Sequence, residues 1–241
     1  MSSLLFLLFL SLSASQAAPI QLRASDGLTL YGEYTTPAQP KGAVLLLHAA
    51  GQNLHEFDAI AHRLTLEGYA SLALDQRFGG EYDGYRNRTV QHLGNRVLSE
   101  ADALTDLDLA LTWLRRQHPR TRLFAMGSGS SGTLLFPFAL RQPDLAGLLA
   151  FSPVQSDLVE IDMLAVARQV RVPVFVTSSN DPFEIQAAQE VFCAVGASRR
   201  TLFVPPGFGL RGVVNLNPAK TTEVAVTEAY WAAVLKFFET P

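Results

Sequence analysis

Short, fully apolar runs alternate along this chain with stretches whose apolar positions recur every three or four residues. Residues 43–48 and 70–75 are runs of the first kind. That is the pattern of strands buried on both faces of a sheet. Residues 122–127, 147–151, 173–178 and 200–204 read as further strands. Between them lie amphipathic helices. Residues 54–67 place Phe57, Ile60, Ala61 and Leu64 on one face, and the pattern stops at Gly68. Residues 99–118 open on Ser99 as a cap and carry the stripe Leu104, Leu107, Leu111 and Leu114. Residues 130–141, 161–169, 184–195 and 221–239 complete the helical set. Near the start, residues 20–24 and 28–35 flank Asp26-Gly27 as a hairpin. Residues 76–98 are irregular and rich in Gly, Arg, Tyr and Asn.

Strands that alternate with helices of this length predict an α/β fold, with a mainly parallel sheet covered on both faces. Ligands on such sheets bind beyond the carboxyl ends of the strands. The segments to read for chemistry are therefore 48–53, 75–80, 127–132, 152–153, 178–184 and 205–212.

Composition narrows the picture. A chain of 241 residues with 48% hydrophobic residues suits one domain with a filled core, here placed at 18–241. A net charge of −3 has the wrong sign for a nucleic-acid binder, and no basic run marks an anionic membrane surface. Residues 4–12 are apolar and are followed by small residues at Ser15 and Ala17. Residues 1–17 thus read as an export signal cut after Ala17, with a periplasmic or secreted product and no stable membrane span once cut. The single cysteine, Cys193, rules out an intrachain disulfide and is expected as a small buried hydrophobe.

The segment 122–133 reads strand, sharp turn, helix, which is the context of a G-x-S-x-G nucleophile elbow. Around it stand Leu45-Leu-Leu-His-Ala-Ala-Gly51, Leu74-Asp-Gln-Arg77 with Gly79-Gly80, Ala150-Phe-Ser-Pro153, Pro173-Val-Phe-Val-Thr177 followed by Asp181, and Pro205-Pro-Gly-Phe-Gly-Leu-Arg-Gly212. In this order they resemble the α/β-hydrolases, specifically the small dienelactone-hydrolase-like kind. The resemblance runs from about Leu28 to the last helix. It implies a serine, an acid and a histidine in chain order, with two backbone N–H groups holding the oxyanion.

Two of those positions depart from the pattern. With the strand ending at Gly127, the serine slot falls on Gly129, and the histidine slot falls on Arg211. Glycine has no hydroxyl to acylate, and arginine stays protonated and cannot act as a base. All five histidines precede the elbow. The oxyanion donors map to Ala50 and Ser130. Asp181 matches the acid position, with Glu184 as a second candidate. The pair Asp181-Pro182 would equally make a helix cap.

Three readings stay open. The first is a hydrolase scaffold that binds a small carboxylate or other anion, with Arg211 either in an anion site or simply paired with Asp181 or Glu184. The second is an active esterase or lactonase read one residue later, as S-x-S-x-G with Ser130 as nucleophile and His92 as a remote base. The third is an interaction module built on Tyr82, Tyr85, Arg86 and Arg88. No metal or other cofactor is expected. His55 and His62 lack further ligands, and Gly127-Ser-Gly-Ser-Ser-Gly132 sits in mid-chain without the acidic partner of a dinucleotide site.

Overall fold

The computed structural model describes residues 17–96, 98–153 and 162–240. The expected signal, apart from Ala17, lies outside these residues. The predicted hairpin is present as β1 (Ala18–Arg23) and β2 (Thr29–Thr35), paired antiparallel. β3 (Gly42–Leu47) and β4 (Tyr69–Leu74) are buried at every residue, as their unbroken apolar runs require. β7 (Arg122–Ser128), β8 (Gly147–Phe151), β9 (Val174–Thr177) and β10 (Arg200–Phe203) follow. The eight strands form one sheet in the order β1-β2-β4-β3-β7-β8-β9-β10. The first two pairings are antiparallel and the remaining five are parallel.

Helices cover both faces. On one side α3 (Glu100–Gln117), α4 (Ser130–Arg141), α5 (Met163–Ala167) and α6 (Pro182–Ala194) close over residues such as Leu45, Leu72, Ala125 and Val176. On the other, α1 (Asp58–Leu66) and α7 (Val224–Glu239) pack with a 3-10 turn, Gly212–Leu216, over Leu46, Met126, Phe151 and Phe175. The Ser99 cap forms as expected, its hydroxyl accepting from the Asp102 N–H. Predicted helix 54–67 divides. Asn53 caps a 3-10 turn, Leu54–Phe57, before α1 begins. Residue 161, the expected start of α5, lies outside the described residues.

The expectation for Cys193 is overturned: it is exposed. α6 buries Ala188 and Val191 against the sheet. Cys193 lies two residues past Val191, about 200° around the helix, and so faces solvent.

The irregular segment 76–98 is well tied down. It contains a two-stranded ribbon, β5 (Glu81–Tyr82) with β6 (Tyr85–Arg86), and the short α2 (Arg88–Gln91). The Asn53 amide donates to the Tyr85 carbonyl at 2.8 Å, and the His55 ring stacks on Tyr85 at 4.0 Å. Arg86 faces Glu81, and Arg88 faces Glu33 and Asp75. Arg77 braces the base of the segment. It makes two hydrogen bonds to Asp106 on α3 and one to Asp26 in the first hairpin.

Candidate active site

β7 ends at Ser128, and α4 begins at Ser130. The single residue between them, Gly129, has φ +54° and ψ −119°. This is the turn that carries a nucleophile at its tip, a backbone that any residue with a Cβ holds under strain. The Gly129 N–H donates to the Phe151 carbonyl at 2.8 Å, which fixes the tip to β8. A Cβ at Gly129 would meet only the Ala49 methyl, at 3.5 Å, so there is room for a side chain there. The alternative register with Ser130 as nucleophile needs a strand one residue longer. β7 does run one residue past the expected end at Gly127, to Ser128, yet the residue at positive φ between strand and helix is Gly129, and Ser130 stands in the first turn of α4.

The oxyanion loop holds a feature that no spacing pattern revealed. The Ala50 N–H donates to the Ser130 Oγ at 3.0 Å. One of the two predicted oxyanion donors is therefore satisfied by the side chain of the residue that carries the other. The Ser130 hydroxyl hydrogen has no acceptor among the described residues.

None of the other histidines serves Ser130 as a base in these contacts. His48 is buried; its Nδ1 meets the Ala49 carbonyl at 2.8 Å and its Nε2 accepts from the Gln76 N–H at 2.9 Å. Burial pushes its pKa down to about 4, so the ring is neutral at pH 7. His92 is exposed and stacks on Tyr31 at 5.6 Å, rather than folding over the elbow. His55 pairs with Asp58, and His118 with Tyr34.

The acid and base positions separate the two carboxylate candidates. Asp181 caps α6, with Oδ1 accepting from the Phe183 and Glu184 N–H groups at 2.9 and 3.2 Å. Glu184 instead faces the base position: the Arg211 Nε lies 3.4 Å from its Oε1. Its Oε2 accepts from the Ser179 N–H at 3.1 Å. After Arg211 the chain turns sharply at Gly212, with φ +70°. A Cβ there would stand 2.4 Å from the Ser128 Oγ, so only glycine fits.

Serines lace these loops together. The Ser152 Oγ accepts from the Gly212 N–H at 2.9 Å, and Ser152 itself holds a positive φ of 49°. The Ser128 Oγ accepts from the Val213 N–H at 3.3 Å and donates to Glu56 Oε1 at 2.8 Å. Glu56 Oε2 accepts from the Ala49 N–H at 2.8 Å. Glu56 is buried and has no cation partner among the described residues. Burial raises its pKa, partly countered by these two hydrogen bonds.

A group whose folded pKa lies above its ordinary value of 4.5 gives stability that is complete below that value. The stability is lost as pH rises through the folded pKa. Glu56→Gln keeps one acceptor for Ala49 and can donate to Ser128. The variant is therefore expected to gain stability over the native protein as pH rises from 4.5 to 8. Urea denaturation across that range measures the difference between the two proteins. A difference that does not grow with pH would contradict the role given to Glu56.

Among the described residues, no group of three or more His, Cys, Asp or Glu side chains could hold a metal ion. No helix there is long and apolar enough to cross a membrane.

Comparison with known proteins agrees with this fold. Residues 38–179, more than half of the chain, match the family model described as serine aminopeptidase, S33. The matched stretch contains the oxyanion loop and the elbow and stops short of Glu184 and Arg211. Similar solved structures include a putative dienelactone hydrolase from Klebsiella pneumoniae, at 18% identity and TM-score 0.72, covering 95% of this chain and 100% of that one. An esterase from Pyrococcus furiosus matches at 16% identity and TM-score 0.70, covering 93% and 92%. A thermostable carboxyl esterase from Bacillus coagulans matches at 12% identity and TM-score 0.73, covering 93% and 98%. At these identities the likeness speaks for the fold.

Proposed function

The chain belongs to the serine aminopeptidase S33 family of α/β-hydrolases, and from that premise we propose that it is a member that binds a small carboxylate or related anion and no longer cleaves esters by serine catalysis. The observation that carries this reading is Gly129 alone at the tip of the elbow, with φ +54°. An acyl-enzyme needs an oxygen at that tip, and glycine offers none. The base position strengthens it. A guanidinium is no general base, and that of Arg211 faces the Glu184 carboxylate at 3.4 Å.

Ser130 does not replace the missing oxygen in this reading. Its Oγ is held by the Ala50 N–H, and none of the hydrogen bonds that engage the histidines reaches it. The same arrangement suits an anion. The hydroxyl hydrogen of Ser130 is free to donate, the first turn of α4 favours negative charge, and Arg211 offers a planar cation at the loop edge.

The test is ester turnover. The purified protein is expected to hydrolyse p-nitrophenyl acetate no faster than its Ser130→Ala variant, without a burst. A burst that vanishes in Ser130→Ala would instead support an active esterase using Ser130.

A further inference from the structure

We propose that the anion taken at Arg211 is amphiphilic, a monocarboxylate with an apolar tail, and that Phe183 and Phe208 form the seat for that tail. This rests on the carboxylate-binding reading above and names its ligand class. The first observation is exposure. Phe183 is 82% exposed and Phe208 is 54% exposed, and no other phenylalanine among the described residues is so open. Single exposed apolar residues are ordinary, but two large exposed rings on neighbouring segments, one opening α6 and one on the loop before Gly209, are less so.

The second observation is their placement. Phe208 precedes Gly209, whose N–H donates to the Asn180 Oδ1 at 3.2 Å and whose carbonyl accepts from the Asn180 N–H at 3.3 Å. Phe183 lies three residues beyond Asn180, in the first turn of α6. The two segments are thus clasped, and Phe183 and Phe208 lie close to the clasp in sequence on either side. Glu184 and Arg211 sit on the same two segments, one residue past Phe183 and three past Phe208 respectively.

The third observation concerns the guanidinium. Glu184 lies 3.4 Å from its Nε, no other carboxylate among the described residues pairs with it, and the side chain is 58% exposed. Glu184 is also held by the Ser179 N–H, so it stays seated without the arginine. A free guanidinium fork presents two parallel donors, the geometry that matches a carboxylate. An apolar tail leaving that carboxylate would cover the phenyl rings and remove their surface from water.

Calorimetric titration with acetate, octanoate and octylammonium tests this on the full chain. Octanoate is expected to bind at least about tenfold more tightly than acetate, given the apolar area that it buries. Phe183→Ala and Phe208→Ala should each weaken octanoate severalfold and leave acetate unchanged. Arg211→Gln should abolish binding of both acids. Equal affinity for acetate and octanoate, or phenylalanine variants that change nothing, would overturn the amphiphilic seat and leave the carboxylate reading standing. Octylammonium binding as tightly as octanoate would overturn the role of Arg211. Binding of neither acid would overturn the carboxylate reading as well.

Discussion

Asp106→Ala is expected to destabilise the protein by about 3–5 kcal/mol, the cost of leaving a buried charge without its partner. Asp106 lies on the buried face of α3, where the helical stripe would otherwise call for an apolar residue. Its carboxylate takes two hydrogen bonds from Arg77, one of them at 2.9 Å, and the two side chains are only 4% and 3% exposed. Burial works against the charge on Arg77, but the hydrogen bonds from Asp106 and Asp26 outweigh it and hold the guanidinium firmly protonated. Removing Asp106 leaves that cation with Asp26 alone, through one bond at 2.9 Å to a carboxylate that is 30% exposed. Asp26→Ala should cost much less, because its carboxylate is already partly solvated. Urea denaturation at pH 7 reads both. A loss under 1 kcal/mol for Asp106→Ala would mean that Arg77 relaxes into water and braces nothing.

The second large effect is a gain. The combination Gly129→Ser, Ser130→Ala and Arg211→His is expected to hydrolyse p-nitrophenyl acetate, and the native protein is expected not to. Each change answers one observation. The elbow already has the required turn, and a Cβ at Gly129 meets nothing nearer than 3.5 Å. Strain at a positive φ would cost the serine roughly 1–3 kcal/mol. A histidine in place of Arg211 would inherit Glu184 as the group that orients it. Removing the Ser130 hydroxyl frees the Ala50 N–H for the oxyanion. One such donor is worth about 10²–10³ in rate in a working site. The combination should therefore exceed Gly129→Ser with Arg211→His alone by tenfold or more. Equal rates for the two would show that the Ala50–Ser130 bond does not block the oxyanion site.

Much of this was readable in the residues, and the reasons differ from place to place. The unbroken apolar runs of β3 and β4 point to strands buried on both faces, and both are buried at every residue. The strand, turn and helix around Gly129 were legible from the apolar run and the glycines after it, although β7 ends at Ser128, one residue beyond the expected Gly127. The Asp181 cap was legible because Asp before Pro at a helix start has a local mechanism.

Other features depend on the tertiary arrangement. No sequence pattern singled out Glu56; the 3-10 turn before α1 brings it under the elbow, where it accepts from Ser128. The choice between Asp181 and Glu184 turned on which carboxylate meets Arg211, a contact between two loops. The Ser130 hydroxyl over the Ala50 N–H joins residues eighty positions apart, and no spacing rule connects them. Cys193 was misplaced because an apolar sequence neighbourhood outweighed the angular position that decides exposure on α6.

The most direct test of the central claim is covalent. Purified native protein is incubated with a fluorophosphonate probe, digested and mapped by mass spectrometry. The account predicts no specific label, because glycine stands at the tip of the elbow. A label on Ser130 that is lost in Ser130→Ala would contradict it and make this protein a working serine hydrolase.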